Sequence, residues 1–248
     1  MEGMNGDGIS VNGQKNRMET LVTIKVSIVL PPQTEGMENK ERILVKAEEL
    51  FMQYGIRSVS MDDIANNLGM SKKTLYQYFT DKDELVDAVV DGHIREIQQD
   101  CLGCKTDAGN AIHEIFNMME RIMEEFNNMN PMLLYDLEKF HFKAYRRFRE
   151  HKDKFLAQVI RENIEWGIKD ELYRPDINVD VMCRFRLESM MIPFNVGLFP
   201  PGKYNLAITS EIVLVHFVYG IATIKGHKLI QKYHEQRKKN QPNAETGT

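Results

Sequence analysis

From Glu38 onward the apolar positions recur at intervals of three and four. Ile43, Leu44, Ala47, Leu50, Phe51 and Tyr54 form one helical stripe, with Gly55 as its C-terminal stop. Shorter helices follow, each with its own start signal. Ser60 and Asp63 resemble a capping box, and Val59 and Ile64 stand at the spacing of a hydrophobic staple. Ser71 caps the next segment, with Met70 and Leu75 at staple spacing. Asp81 with Glu84 then opens a fourth helix that carries Leu85, Val86, Ala88 and Val89. Beyond Cys101 the period stays helical and predicts helices over Ala108–Asn128, Pro131–Phe140, Phe142–Ile168, Val179–Phe194 and Leu206–Lys238. The connection Asn195–Tyr204, with Gly197, Pro200, Pro201 and Gly202, is the clearest break.

One stretch departs from this period. Val22, Ile24, Val26 and Ile28 alternate with Thr23, Lys25 and Ser27, as in a strand. A lone strand in a helical chain has no partner and is not stable. Residues 1–36 are therefore read as a disordered extension, translated from upstream of a start at Met37.

Composition narrows the class. The chain has 248 residues, enough for a small domain plus a larger one. Long proline-free stretches, Asn39 to Asn130 and Met132 to Arg174, favour helices. The 3 cysteines, Cys101, Cys104 and Cys183, are an odd number and no disulfide scaffold, which points to a reducing compartment. No segment approaches the roughly 18 uninterrupted apolar residues of a membrane span. Leu21–Leu30 fails as a secretory core, because Lys25 interrupts it and no small-residue cleavage site follows. A cytoplasmic protein without membrane contact is expected. The net charge of -4 neither supports nor excludes nucleic acid, since binding depends on the local field at the contacting face.

The segment Ser60–Phe79 carries the chemistry. Ala65 is small where a second helix must approach closely, and Gly69 can take a positive φ that turns the chain. Ile64, Leu68, Met70 and Leu75 are apolar where the pair must pack on the long first helix. The outward positions of the second helix are Lys72, Lys73, Thr74, Tyr76, Gln77 and Tyr78, with no carboxylate among them. Lysine reaches guanine acceptors in the major groove, glutamine reads adenine, and hydroxyls and the helix N-terminus, which Ser71 caps, suit phosphate oxygens. The alternative is a solvated helical hairpin with surface lysines and tyrosines.

These residues resemble the DNA-binding domain of TetR/AcrR-family regulators. The matching runs are Ala47-Glu-Glu-Leu-Phe-x-x-x-Gly55, Ser60-Met-Asp-Asp-Ile-Ala65, Gly69-Met-Ser-Lys-Lys-Thr-Leu-Tyr-Gln-Tyr-Phe79 and Lys82-Asp-Glu-Leu85. The resemblance implies an all-α chain, with an N-terminal three-helix DNA-binding domain with helix-turn-helix over 37–84. A larger helical ligand-binding and dimerisation domain follows over 85–240, with a disordered tail at 241–248. It implies that Lys72, Lys73 and Thr74 face bases or nearby phosphates, that Tyr76 and Tyr78 sit on phosphates or sugar edges, and that Lys82 at the start of the fourth helix pairs with a phosphate. Ser60 adds a phosphate contact besides its cap, and Tyr78 is alternatively buried against the first helix. It further implies a repressor that binds double-stranded operator DNA and is released by a small apolar or amphipathic effector.

The second domain is read less directly. Met119, Met123, Phe126, Met132, Tyr135, Trp166, Met190 and Phe194 are candidates for a ligand pocket, since methionine adapts its shape to varied apolar partners. The same stripes serve equally as ordinary core. Val213, Leu214, Phe217, Val218, Ile221 and Ile224 spread apolar surface around the final helix, so the last two long helices are expected to form a homodimer. Cys101-Leu-Gly-Cys104 lacks a second ligand pair and is read as a loop between helices. Glu138 and His141 lack the second Glu-x-x-His of a di-iron bundle, which leaves His113, His141 and His216 as helix-face or pocket residues. No cofactor, metal or catalytic constellation is expected. The rival reading is a helical ligand carrier or enzyme with a merely structural helix-turn-helix.

Overall fold

The computed structural model describes residues 35–240, so the alternating stretch 21–30, most of the extension and the tail 241–248 lie outside the described residues. The chain divides into two units at Glu38, and the helices from Asn39 onward belong to the second. The described elements are α1 (Glu35–Tyr54), α2 (Met61–Leu68), α3 (Lys72–Tyr78), α4 (Lys82–Asp107), α5 (Ala111–Phe126), α6 (Leu133–Phe140) and α7 (Phe142–His151). After a π-helical turn at Lys152–Leu156 come α8 (Ala157–Lys169), α9 (Val179–Ser189), α10 (Leu206–Ile221) and α11 (Ile224–Asn240). The described residues form no strand.

Short polar side chains start these helices. Ser60 accepts from the Asp63 N–H while the Asp63 carboxylate takes the Ser60 N–H, which completes a reciprocal cap on α2. Ser71, Asp81, Asn110, Asn178 and Asn205 cap α3, α4, α5, α9 and α10, each side chain accepting from a first-turn N–H. Gly69 ends α2 at φ 65, a left-handed conformation that a side chain would strain.

Two apolar clusters hold the helices together. The first joins Ile43, Ala47 and Phe51 of α1 to Ile64, Leu75, Phe79 and Leu85, and it also takes in Leu137 of α6 and Ala144 of α7. The second joins Ile112, Phe116 and Met119 of α5 to Ile164, Leu214, Phe217 and Ile221. A polar network sits inside it. Asn163 donates to the Ala111 carbonyl at 2.8 Å and to Glu114 at 2.7 Å, and accepts from the Tyr173 hydroxyl at 3.2 Å. With every member partnered, this network escapes the cost of buried unpaired polar groups.

Three expectations from the sequence need correction. Cys101 and Cys104 are no loop; α4 runs unbroken to Asp107 and buries both on its inner side. The helix expected over Leu206–Lys238 is two helices, because the segment before α9 clamps the chain at Ala222 and Thr223. The Leu172 carbonyl accepts from the Thr223 N–H at 2.9 Å, and Arg174 N–H donates to the Ile221 carbonyl at 2.9 Å. Gly226 admits this approach, since a Cβ there would lie 2.2 Å from the Leu172 carbonyl oxygen. The helix expected to reach Phe194 also stops earlier, at Ser189, and Ile192–Phe194 forms a separate 3₁₀ turn containing Pro193.

Candidate nucleic-acid interface and ligand cavity

α2 and α3 cross at Gly69 with Met61, Ile64, Ala65 and Leu75 buried, which turns the other side of α3 to solvent. Lys73, Tyr76 and Gln77 are exposed there, and Thr74 is half-buried with its N–H on the Ser71 hydroxyl. Ser60 and Ser71 are exposed, and both hydroxyls are engaged in capping. Lys72 is exposed but pairs with Asp62 of α2 at 2.9 Å, which holds its pKa above the ordinary lysine value.

Two of the proposed DNA contacts face differently from what their residue type suggested. Tyr78 packs half-buried against the first core and accepts weakly from Asn39 of α1 at 3.5 Å. Lys82 turns inward: its ammonium donates to the Ile56 carbonyl at 2.5 Å and lies over the Phe51 ring. Burial pushes its pKa down, against the attraction of Asp136 and Asp63. A phosphate contact from Lys82 would require it to leave that carbonyl.

A cavity of about 260 Å³ lies in the helical body. Met119, Met123, Phe126, Met190 and Phe194 line it, whereas Met132, Tyr135 and Trp166 do not. Tyr135 stands on the outer surface at 42% exposure and accepts from Lys139. Trp166 packs against the second core, and Met132 is the half-buried residue that precedes α6. The helical period marked all three as apolar-face residues, but only packing decides which apolar face meets an empty space. None of His113, His141 and His216 lines the cavity: His113 stacks on Tyr233, His141 contacts Asp83, and His216 binds its own helix backbone.

The histidine at the cavity wall is His93, which the sequence reading passed over. Its Nδ1 lies 3.0 Å from Glu48 of α1 and its Nε2 lies 3.2 Å from Glu125 of α5. Burial opposes its charge, but the Glu125 and Glu48 carboxylates outweigh burial and push the imidazole up to about 10. Glu48, His93 and Glu96 also bring ligand-type atoms within 4.8 Å of one another. Both imidazole nitrogens are already committed to carboxylates, so a metal would have to displace a bound proton there. His93 and Glu48 are 45 positions apart, and no local spacing signals the pairing.

The cavity borders the first apolar core. Met52 of α1 lines the cavity, and Leu137 belongs both to the cavity and to the first core. This geometry is that of a helix-turn-helix beside a helical body that encloses a cavity. Residues 43–89 match the family model "Bacterial regulatory proteins, tetR family". The chain is 35% identical over 131 residues to the HTH-type transcriptional regulator YvaF of Bacillus subtilis, covering 52% of this chain and 62% of that protein. It is 23% identical to the HTH-type transcriptional repressor KstR2 of Mycobacterium tuberculosis, over 67% of this chain and 85% of the relative. A transcriptional regulator from Saccharomonospora viridis, crystallised with choline, shares the fold at a TM-score of 0.61 and 16% identity, covering 75% of this chain and 99% of that one. Over residues 43–89 the chain is similar to the TetR family of transcriptional regulators.

Proposed function

We propose that the protein represses transcription as a homodimer bound to a roughly palindromic DNA operator, and that a small molecule in the cavity releases it. The carboxylate-free outer face of α3 is the observation that carries DNA binding. In this reading residues 37–84 contact DNA and 85–240 hold the effector and the dimer interface. Ligand control is supported by the wall residues Met52 of α1 and Leu137 of α6: filling the cavity presses on both, and Leu137 belongs to the core that packs α1 against α2 and α3. The effector then favours a dimer whose recognition helices are wrongly spaced for the operator.

For the dimer, the outward surface of α9 and α10 is the best candidate. Val181 and Phe185 of α9 are more than half exposed, as are Ile208 and Ile212 of α10. Leu214, Phe217, Val218 and Ile221, which the sequence reading offered for this role, face inward and belong to the second core. Ile208, Ile212, His216 and Gly220 form an exposed row at four-residue spacing, and the small Gly220 lets a partner helix come close. The three cysteines are buried and unpaired, which suits the reducing cytoplasm. Among the described residues no helix is long and apolar enough to cross a membrane.

Selection from random DNA duplexes, followed by gel-shift titration, tests the reading. Enrichment of a two-fold symmetric site is expected. Failure to enrich any duplex would leave the helix-turn-helix as a structural element and favour a ligand carrier or enzyme.

A further inference from the structure

The cavity wall carries several charges, and nearly all are answered from within the chain. Glu125 contacts His93, Glu114 accepts from Asn163, and Glu211 accepts from Arg237. Arg121 lies 3.9 Å from Asp100. Arg186 of α9 is different. Among the described residues no carboxylate pairs with its guanidinium and no side chain accepts from it; its neighbour is the Phe217 ring, 5.8 Å away at the centroid. Burial alone acts on it, pushing its pKa from 12.5 down to about 10. The Ser210 hydroxyl in the same wall is buried and has no partner either.

An unpaired cation beside an apolar cavity is costly, and a methionine of similar volume would fill the place without that cost. The cost is relieved when an anion enters. A guanidinium offers a planar fork of donors that matches a carboxylate at two points, and the match strengthens where water is scarce. The rest of the wall is thioether, aliphatic and aromatic, so the anion must bring a large apolar part with it. We propose that the cavity binds an apolar carboxylic acid as its anion, with the carboxylate on Arg186 and the hydrocarbon part among Met119, Met123, Phe126 and Met190. The hydroxyl of Ser210 offers the acid a second polar contact. This names the effector class of the regulator proposed above and rests on that reading for its role in control, although binding itself is measured without DNA.

Calorimetric titration of the full-length protein tests it, with decanoate and 1-naphthylacetate as straight-chain and fused-ring acids. Decanol and decyltrimethylammonium serve as the neutral and cationic counterparts of the chain. At least one acid is expected to bind, and decanoate, if the chain is the preferred form, about tenfold or more tighter than decanol. If the ring is preferred, 1-naphthylacetate exceeds 1-naphthaleneethanol by a similar factor. In Arg186→Met the acid-to-alcohol ratio should fall to near one while the alcohol still binds, and the unliganded protein should melt higher. Arg186→Lys keeps the charge without the fork and should give an intermediate ratio; it decides the matter if the methionine variant does not fold. Neither acid binding, alcohols or the ammonium binding as well as the acids, or an unchanged ratio in both variants would each overturn the proposal. A gel shift on the selected duplex separates the two readings: acids that bind a protein without operator affinity sink the regulator reading alone, and operator binding without acid binding sinks this one alone.

Discussion

The backbone N–H of Arg57 donates to the Asp136 carboxylate at 2.9 Å, joining the turn before α2 to helix α6 across 79 positions of sequence. Asp136 is buried, and the neighbouring Asn130 N–H donates to the Met52 carbonyl at 2.6 Å. The turn that leads into the DNA-facing pair is therefore held by the same helix that forms part of the cavity wall. Under the ligand control proposed above, this contact is the route by which cavity occupancy would reach α2 and α3.

Replacing Asp136 with Ala leaves the Arg57 N–H without its acceptor. The expected loss is about 1–3 kcal/mol of stability, the usual cost of an orphaned buried donor. Thermal unfolding measures it, and operator affinity measured beside it should fall as well. An unchanged melting temperature would show that water replaces the carboxylate without cost.

Lys73 and Lys82 should separate recognition from packing. Lys73→Ala is expected to weaken operator binding about tenfold or more and to leave the melting temperature within error, since the side chain is exposed. Lys82→Ala removes a donor from the Ile56 carbonyl and a cation from the Phe51 ring, so its melting temperature should drop. A Lys82 variant as stable as the parent, with a flatter salt dependence of DNA binding, would mean that Lys82 swings out to phosphate.

Asp62 pairs with Lys72 at 2.9 Å and, in the DNA complex proposed above, competes with DNA for it. The pair is surface exposed and contributes little stability, so Asp62→Asn should melt like the parent. It frees Lys72 and removes a negative charge beside the phosphate backbone, so operator affinity should rise several-fold, most at low salt. Equal affinities at low ionic strength would place Asp62 away from the DNA.

His93 predicts a pH dependence. Its folded value of about 10 lies above the ordinary 6.5, so its contribution to stability is complete below 6.5 and is lost as pH rises through about 10. His93→Gln keeps hydrogen bonding but cannot be charged. Its stability should fall less than the parent's between those two limits, as read by chemical unfolding at several pH values. Parallel curves for the two proteins would show that the imidazole does not titrate in this window.

Gly226→Ala tests the clamp between α10 and α11. The added methyl would meet the Leu172 carbonyl, which is fixed by hydrogen bonds from the Thr223 N–H and hydroxyl. Overpacking of this kind costs about 1–3 kcal/mol, and here the neighbour is backbone and cannot rotate away. A melting temperature equal to the parent's would show that the clamp is not tight in solution.

Local chemistry was enough to read most of the helices. Caps at Ser60, Ser71 and Asp81 act within three residues of themselves, and an apolar stripe such as Ile43, Ala47 and Leu50 reports its own buried face. The outward set on α3 was legible for the same reason: once Leu75 is known to face in, Lys73, Tyr76 and Gln77 must face out. The break at Ala222 and Thr223 was not legible, because its cause is the Leu172–Arg174 segment, distant in sequence and brought alongside by folding. The same holds for His93 between Glu48 and Glu125, for Lys82 on the Ile56 carbonyl, and for the choice of Met119 over Met132 at the cavity. Periodicity says which side of a helix is apolar; only the packing of several helices decides whether that side meets another side chain, a charge or an open space.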